Sequence, residues 1–239
     1  MLPYRELIAL YGAPLTEEFA IGLSTTEKET GRLERIDYRP TEDVLMVHGT
    51  TSSMEHKWVR WGFPKAWETS ERRDPWKSQP LINTKAETAL DKVTWREATR
   101  RRRCLIPATG FYEWMSVNGK KYPLLFSATE PLFSMAGLWQ EFTRGEATVT
   151  CVSIVTTAAN DSVSDIHSRM PLVLDKQDYG DWLGSKDNSR LNSLLNSTPS
   201  PLSSRPVSTA LNRGLCRDST LLNADWSVED VTTRQGSLW

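Results

Sequence analysis

Three features of this sequence predict an α+β fold, one domain built on a curved, mainly antiparallel sheet with peripheral helices. Strand-like and helix-like segments are interspersed without the regular strand–helix–strand alternation of a parallel α/β sheet. Two strand-like segments flank Asn118-Gly119, a strong two-residue hairpin signal. The chain has 239 residues, 38% apolar and 25% charged, which suits one soluble globular domain spanning 1–239 with a substantial core.

The elements follow in order. Arg5 to Tyr11 reads as a short helix stopped by Gly12-Ala13-Pro14. Thr16 to Arg32 is polar and poorly periodic. Asp43 to His48 is a short apolar strand, and Lys57 to Gly62 a second one of mixed polarity. Phe63 to Pro80 is a long loop, and a loop of that length in a compact domain usually serves a function. Ala86 to Arg100 has helical composition. Arg103–Ile106, Gly110–Ser116, Tyr122–Ser127 and Phe133–Trp139 read as strands. Thr148–Thr157 is the densest β run, and Met170–Leu174 is another strand. Asp175–Leu183 and Ser189–Asn196 look helical, and Ser197–Ser204 is a loop with too little chain after it to form another core. No internal repeat is present.

Composition excludes several classes. No apolar run approaches the ~18 residues of a membrane span. No charged-then-apolar leader opens the chain, so a cytoplasmic protein is expected, nucleoid-associated in a bacterium. Three scattered cysteines, Cys104, Cys151 and Cys216, show neither a disulfide framework nor metal-binding spacing. The three histidines, His48, His56 and His167, form no zinc pattern, so neither metal nor other cofactor is expected.

The net charge of −1 does not advertise a polyanion partner, but its distribution does. From Lys57 to Arg103 thirteen basic residues face six acidic ones, a local +7 that leaves −8 for the rest. Trp58, Trp61, Trp67 and Trp76 lie in the same stretch. Aromatic rings interleaved with Lys and Arg suit a single nucleic-acid strand, whose bases stack at ~1–3 kcal/mol each while cations track the backbone. The plain alternative is a solvated basic loop with tryptophans serving the core. Trp61 and Trp114 are expected in the core, and Trp67 or Trp76 at the surface.

Three islands place one polar group in an apolar setting: Pro80-Leu81-Ile82-Asn83-Thr84-Lys85-Ala86-Glu87-Thr88, Gly110-Phe111-Tyr112-Glu113-Trp114 and Asp165-Ile166-His167-Ser168-Arg169-Met170-Pro171. A lone histidine is ordinarily a hydrogen-bonded structural residue. Glu113 could be an outward-facing strand glutamate, and Asn83 a turn residue at a strand end. Three such islands in one chain suggest a constellation. A glutamate between Tyr112 and Trp114 loses water, which raises a carboxyl pKa towards a working acid/base range. An asparagine orients a ligand without charge.

In this order the islands resemble the SOS response-associated peptidase (SRAP) family. Arg60-Trp61-Gly62-Phe63-Pro64 is similar to its Trp-Gly turn, Arg103-Cys104-Leu105-Ile106-Pro107-Ala108-Thr109-Gly110 to the lead into its Glu-Trp motif, and Arg205-Pro206-Val207-Ser208 to its closing strand. The resemblance covers roughly Arg35 to Leu222. It implies a partner, single-stranded DNA bearing abasic sites. An N-terminal cysteine of the family closes on the sugar aldehyde to form a covalent thiazolidine link, an activity described both as peptidase and as lyase. By the same resemblance Asn83 would orient the sugar, Glu113 would move protons during ring opening, and His167 would exchange a proton with the sugar oxygen. Arg169 would hold a phosphate, as would Lys85, standing where the family usually has arginine. Arg60, Lys65, Trp67 and Trp76 complete the expected DNA-binding set, on a monomer.

One departure stands out. Family members begin Met-Cys-Gly-Arg, whereas this chain begins Met1-Leu2-Pro3-Tyr4. The expectation is that the first strand is lacking, so that the thiazolidine cannot form as written. Two readings follow, an abasic-site processing enzyme whose start lies upstream, or a truncated module that binds single strands without chemistry. A third reading, a thiol peptidase using an internal cysteine, is disfavoured because Cys104 and Cys151 sit within β runs.

Overall fold

The computed structural model describes residues 2–12, 19–20, 22–33, 35–50, 53–65, 76–214 and 217–233. Its centre is an eight-stranded sheet formed by β3 (Asp43–Thr50), β4 (Ser53–Trp61), β5 (Asn83–Lys85), β6 (Arg103–Ala108), β9 (Phe133–Arg144), β10 (Ala147–Ala158), β11 (Arg169–Pro171) and β12 (Val173–Leu174). Five of these form a closed ring in the order β10, β4, β3, β6, β9 and back to β10. The predicted curved sheet is therefore curved until it closes. Its pairings are antiparallel except where β10 runs parallel to β4 and β5.

Period-2 alternation sends side chains to both sides of the ring. Val44, Met46, Val59, Cys104, Ile106, Met135, Val152 and Ile154, drawn from all five strands, fill the interior. Their neighbours Leu45, Val47, Leu105, Ala136, Leu138 and Cys151 face outward. They are covered by α1 (Tyr4–Tyr11) through Leu7 and Tyr11, by Trp95, and by α4 (Tyr179–Gly184) through Trp182. Burial on both faces explains why β3 and β10 read as continuous apolar runs.

A small antiparallel sheet, β13 (Ser203–Pro206), β8 (Lys120–Ser127) and β7 (Phe111–Val117), packs against the ring. Its hairpin turns at Asn118 and Gly119, with φ of 51° and 73°, the doubly positive geometry that Asn-Gly favours. Another two-stranded sheet pairs β1 (Leu2–Pro3) with β2 (Arg32–Leu33). Further helices among the described residues include α2 (Thr25–Thr30), α3 (Arg96–Arg101), α5 (Asn188–Leu195) and α6 (Val228–Thr233). No helix among the described residues is long and apolar enough to cross a membrane.

Several expectations need correction. Ala86–Arg100 is not one helix: a 3₁₀ turn at Ala86–Thr88 leads through turns into α3. The Thr99 hydroxyl donates to the Ala89 and Trp95 carbonyls, closing the break. The polar stretch at Thr16–Arg32 contains α2, which is started by a full capping box of Ser24 and Glu27 and stopped by Gly31 at φ 65°. Met170–Leu174 divides at Leu172 into β11 and β12, and Ser203–Ser204 begins β13 rather than ending a loop. Among the described residues the core tryptophans are Trp95 and Trp182. Trp61 and Trp114 are only half-buried; their indole N–H groups donate to Ile82 O at 3.0 Å and Asn212 Oδ1 at 2.7 Å.

Candidate active site

Strand β10 organises the site. Past Ala158 the chain turns through 159–168 and returns as β11, whose Arg169 pairs with Ala158. The turn is pinned from inside by Val163, fully buried, and by Asn160. Asn160 Oδ1 accepts from Ser162 N and Oγ, while its Nδ2 donates to Pro199 O. His167 N donates to Val163 O at 3.0 Å, so the histidine sits at a fixed end of this turn.

Glu113 reaches the same place from β7. Alternation puts Glu113 on one face with Phe111 and Met115, whose side chains pack with Val163, Ile166 and Met170 of the turn. The Glu113 Oε1 atom lies 3.8 Å from His167 Nδ1, an ion-pair distance when the imidazole is protonated. The Glu113 side chain is 23% exposed and that of His167 50%. Loss of water raises the Glu113 carboxyl above its ordinary range, and a charged His167 pulls it back down. His167 Nδ1 is 2.8 Å from Arg169 O and accepts from Arg169 N at 3.2 Å in the alternative tautomer. A proton on Nδ1 is held by that carbonyl, leaving Nε2 to exchange a proton with a ligand.

Asn83 and Lys85 lie on β5, alongside Ile154 and Thr156 of β10. The buried Thr84 between them bonds Ser153 at 2.9 Å, which turns Asn83 and Lys85 to the exposed side together. Arg169 closes the group from the other side of β10: its Nη2 donates to Thr156 O at 2.5 Å and Oγ1 at 3.2 Å. Both terminal nitrogens also grip the Glu87 carboxylate, at 2.5 and 3.0 Å. That pair and nearby Lys85 hold Glu87 below the usual carboxylate range, Arg169 contributing most.

The structure thus brings Glu113 and His167 into contact and sets Lys85 and Arg169 about Thr156. The Asn83 side chain is exposed two residues before Lys85 and makes no hydrogen bond among the described residues. Arg60 and Trp76 lie elsewhere. Arg60 pairs with Cys151, five residues up β10 from Thr156, or about 17 Å at ~3.3 Å per residue. Its guanidinium sits 5.6 Å from the Trp76 ring centroid, donates to Thr41 O, and shares the ring with Arg144 at 5.3 Å. Lys65 is half-buried, and Trp67 lies outside the described residues.

Two residues at these places were missed in the sequence. Glu87 stood in the same island as Asn83 and Lys85 but read as one more surface acid. Arg144 belongs to the β9–β10 hairpin, and nothing in its neighbourhood links it to Trp76. Among the described residues no cluster of His, Cys, Asp and Glu could hold a metal ion. Cys104 and Cys151 are fully buried, which raises both thiols, Cys151 to about 12, so neither is a ready thiolate nucleophile. Cys216 lies outside the described residues.

Comparison with known proteins adds three findings. The family described as SOS response associated peptidase (SRAP) matches residues 5–214. The chain is 33% identical over 162 residues to the abasic site processing protein YoqW of Bacillus subtilis, covering 65% of this chain and 70% of that one. It is 29% identical over 151 residues to the abasic site processing protein YedK of Escherichia coli, covering 62% and 64%. In fold it is similar to a crystal structure of a Bacteroides thetaiotaomicron protein, with a TM-score of 0.75 at 22% identity over 94% of this chain and 97% of that one.

Proposed function

The chain belongs to the SOS response associated peptidase family, and on that premise we propose that it processes abasic sites in single-stranded DNA. The observation that carries the proposal is the Glu113–His167 contact at 3.8 Å, with the carboxyl desolvated and the imidazole open to solvent. An opened abasic sugar carries an aldehyde and a hydroxyl. As the cyclic hemiacetal opens, the Glu113 carboxyl gives its proton to the ring oxygen while the ring C–O bond breaks, and the unprotonated His167 Nε2 takes the anomeric hydroxyl proton as the aldehyde C=O forms. Asn83 and Lys85, exposed side by side on β5, offer an amide to the sugar and a cation to a flanking phosphate. The Arg60–Trp76–Arg144 cluster extends the path about 17 Å along β10, with arginines that suit phosphates. The closing covalent step in this reading is the terminal amine–thiol chemistry of a Cys-led strand.

The test compares abasic, intact single-stranded and duplex oligonucleotides. Expected is preferential binding of the abasic single strand. A heat-stable crosslink should form once a Met-Cys-Gly-Arg strand precedes the chain, and Glu113→Gln should slow its formation by roughly 10²–10⁴-fold. Binding of the single strand with no crosslink in the Cys-led version would leave a binding module without chemistry. Preference for duplex would end the proposal.

A further inference from the structure

Arg169 is the strongest phosphate ligand near the Glu113–His167 pair by residue type, yet its donors are largely committed. A guanidinium has five N–H groups. Nη1 gives one to Glu87 Oε1, and Nη2 is shared among Glu87 Oε2, Thr156 O and Thr156 Oγ1. Nε is buried with no acceptor. Only the second Nη1 hydrogen is both without an acceptor and not at a buried atom, so the planar fork that recognises a phosphate with two bonds is already occupied by a carboxylate. Glu87 also lies close enough to Lys85 for that lysine's charge to act on its carboxylate. The three charges of this corner, Lys85, Glu87 and Arg169, leave a single net positive charge where two cations stand.

We infer that Glu87 is a specificity-determining residue: it withholds Arg169 from undamaged single strands and yields it only to a strand whose abasic sugar is seated beside Glu113 and His167. This deepens the proposed reading and rests on it. A passing strand offers one phosphate, which must displace a bidentate carboxylate and gains little. A strand anchored by its lesion presents that phosphate at high effective concentration, and the exchange of one oxyanion for another then goes forward. The 3₁₀ turn carrying Glu87 directly follows β5, so the same short segment supplies both the cation offered to every strand and the acid that withholds the second one.

The experiment measures affinity for intact and abasic oligonucleotides across a salt series with the parent chain, Glu87→Gln, Arg169→Gln and the double variant. For single strands the slope of log K against log salt is about −0.7 per phosphate contact. Glu87→Gln should bind intact strands more tightly, with a slope steeper by ~0.7. Its advantage should shrink by about 2.5-fold between ~50 and ~200 mM salt. Its preference for abasic over intact strands should fall. Arg169→Gln, in which the freed Glu87 carboxylate faces Lys85, should weaken abasic binding more than intact binding and so lower the preference for abasic strands. The double variant should lose the gain of Glu87→Gln. A Glu87→Gln slope equal to the parent's overturns the inference, as does an Arg169→Gln variant that weakens abasic and intact binding alike. If Glu87→Gln does not fold, the Arg169→Gln arm decides alone. A parent that binds single strands but does not distinguish abasic from intact DNA removes the proposed function and this inference together. A parent that discriminates while the variants behave otherwise than expected removes only the inference.

Discussion

Replacing Gly62 by alanine tests how the fold delivers Asn83. Gly62 directly follows β4 at φ 119°, a conformation L side chains rarely adopt, and its N–H donates to Val152 O at 2.8 Å. An added Cβ would stand 2.7 Å from Pro80 Cβ, 3.2 Å from Pro80 Cγ and 3.3 Å from Ile82 Cγ2. The chain at 80–82 crosses close over the glycine before entering β5, and Ile82 O accepts both the Trp61 indole N–H and Ile154 N–H. Backbone strain of this kind costs roughly 1–3 kcal/mol, and forcing a methyl into packed atoms a further ~1–3 kcal/mol. At about 2–4 °C per kcal/mol for a domain this size, the melting temperature should fall by roughly 5–20 °C. Gly145→Ala is the control: it too has positive φ, 62°, but nothing lies within 4 Å of its Cβ, so only the backbone cost applies. Thermal unfolding followed by tryptophan fluorescence reads both. Single-strand binding below the transition should drop for Gly62→Ala alone, because Asn83 and Lys85 must shift with Pro80 and Ile82. Equal melting temperatures for the two variants would refute the close-approach argument.

Further outcomes are expected. Burial raises the Glu113 carboxyl, so the folded state binds its proton more tightly than the unfolded chain. The resulting stability is complete below the ordinary glutamate range and is lost as pH rises through the elevated value. Glu113→Gln should therefore raise the melting temperature at neutral pH but not below pH ~4, by calorimetry at both pH values. In a Cys216→Ser background, Cys104 and Cys151 should resist thiol reagents in the folded protein and react fully in denaturant, which mass spectrometry reads directly; fast native labelling would reopen the thiol peptidase reading. Arg144→Gln should make the salt dependence of single-strand binding shallower by ~0.7 without altering preference for abasic DNA.

What the sequence disclosed is local, and what it hid is distant. The β7–β8 hairpin was readable because Asn118-Gly119 carries its turn geometry in two residues. Glu113 was readable because an acid between Tyr112 and Trp114 on a strand must lose water on one face or the other. Helix α2 was equally local, and the Ser24–Glu27 capping box announced it, but the surrounding polarity concealed the signal. The Glu87–Arg169 pair spans 82 residues and is made only when β5 and β11 meet on opposite sides of β10. Nothing near either residue encodes that meeting. The tryptophans failed for a similar reason. Trp182 lies in Asp175–Leu183, a segment that reads only as helical, yet it packs against β6, where its indole N–H reaches Cys104 O at 2.8 Å.

The closed ring has a consequence for how the protein is made. β4 closes against β10 through Arg60 and Cys151, positions 91 residues apart in the chain. On the ribosome, which adds ~5–20 residues per second, β4 must therefore wait with its outer edge unpaired for seconds after it emerges. An exposed strand edge in a nascent chain is a template for the wrong partner, and the interval is longest for the strand that ends at the Gly62 crossing. The same strand, β10, that ends this vulnerable period also brings β5 and β11 together. A nascent chain stalled before Ala158 would lack both the closed ring and the site.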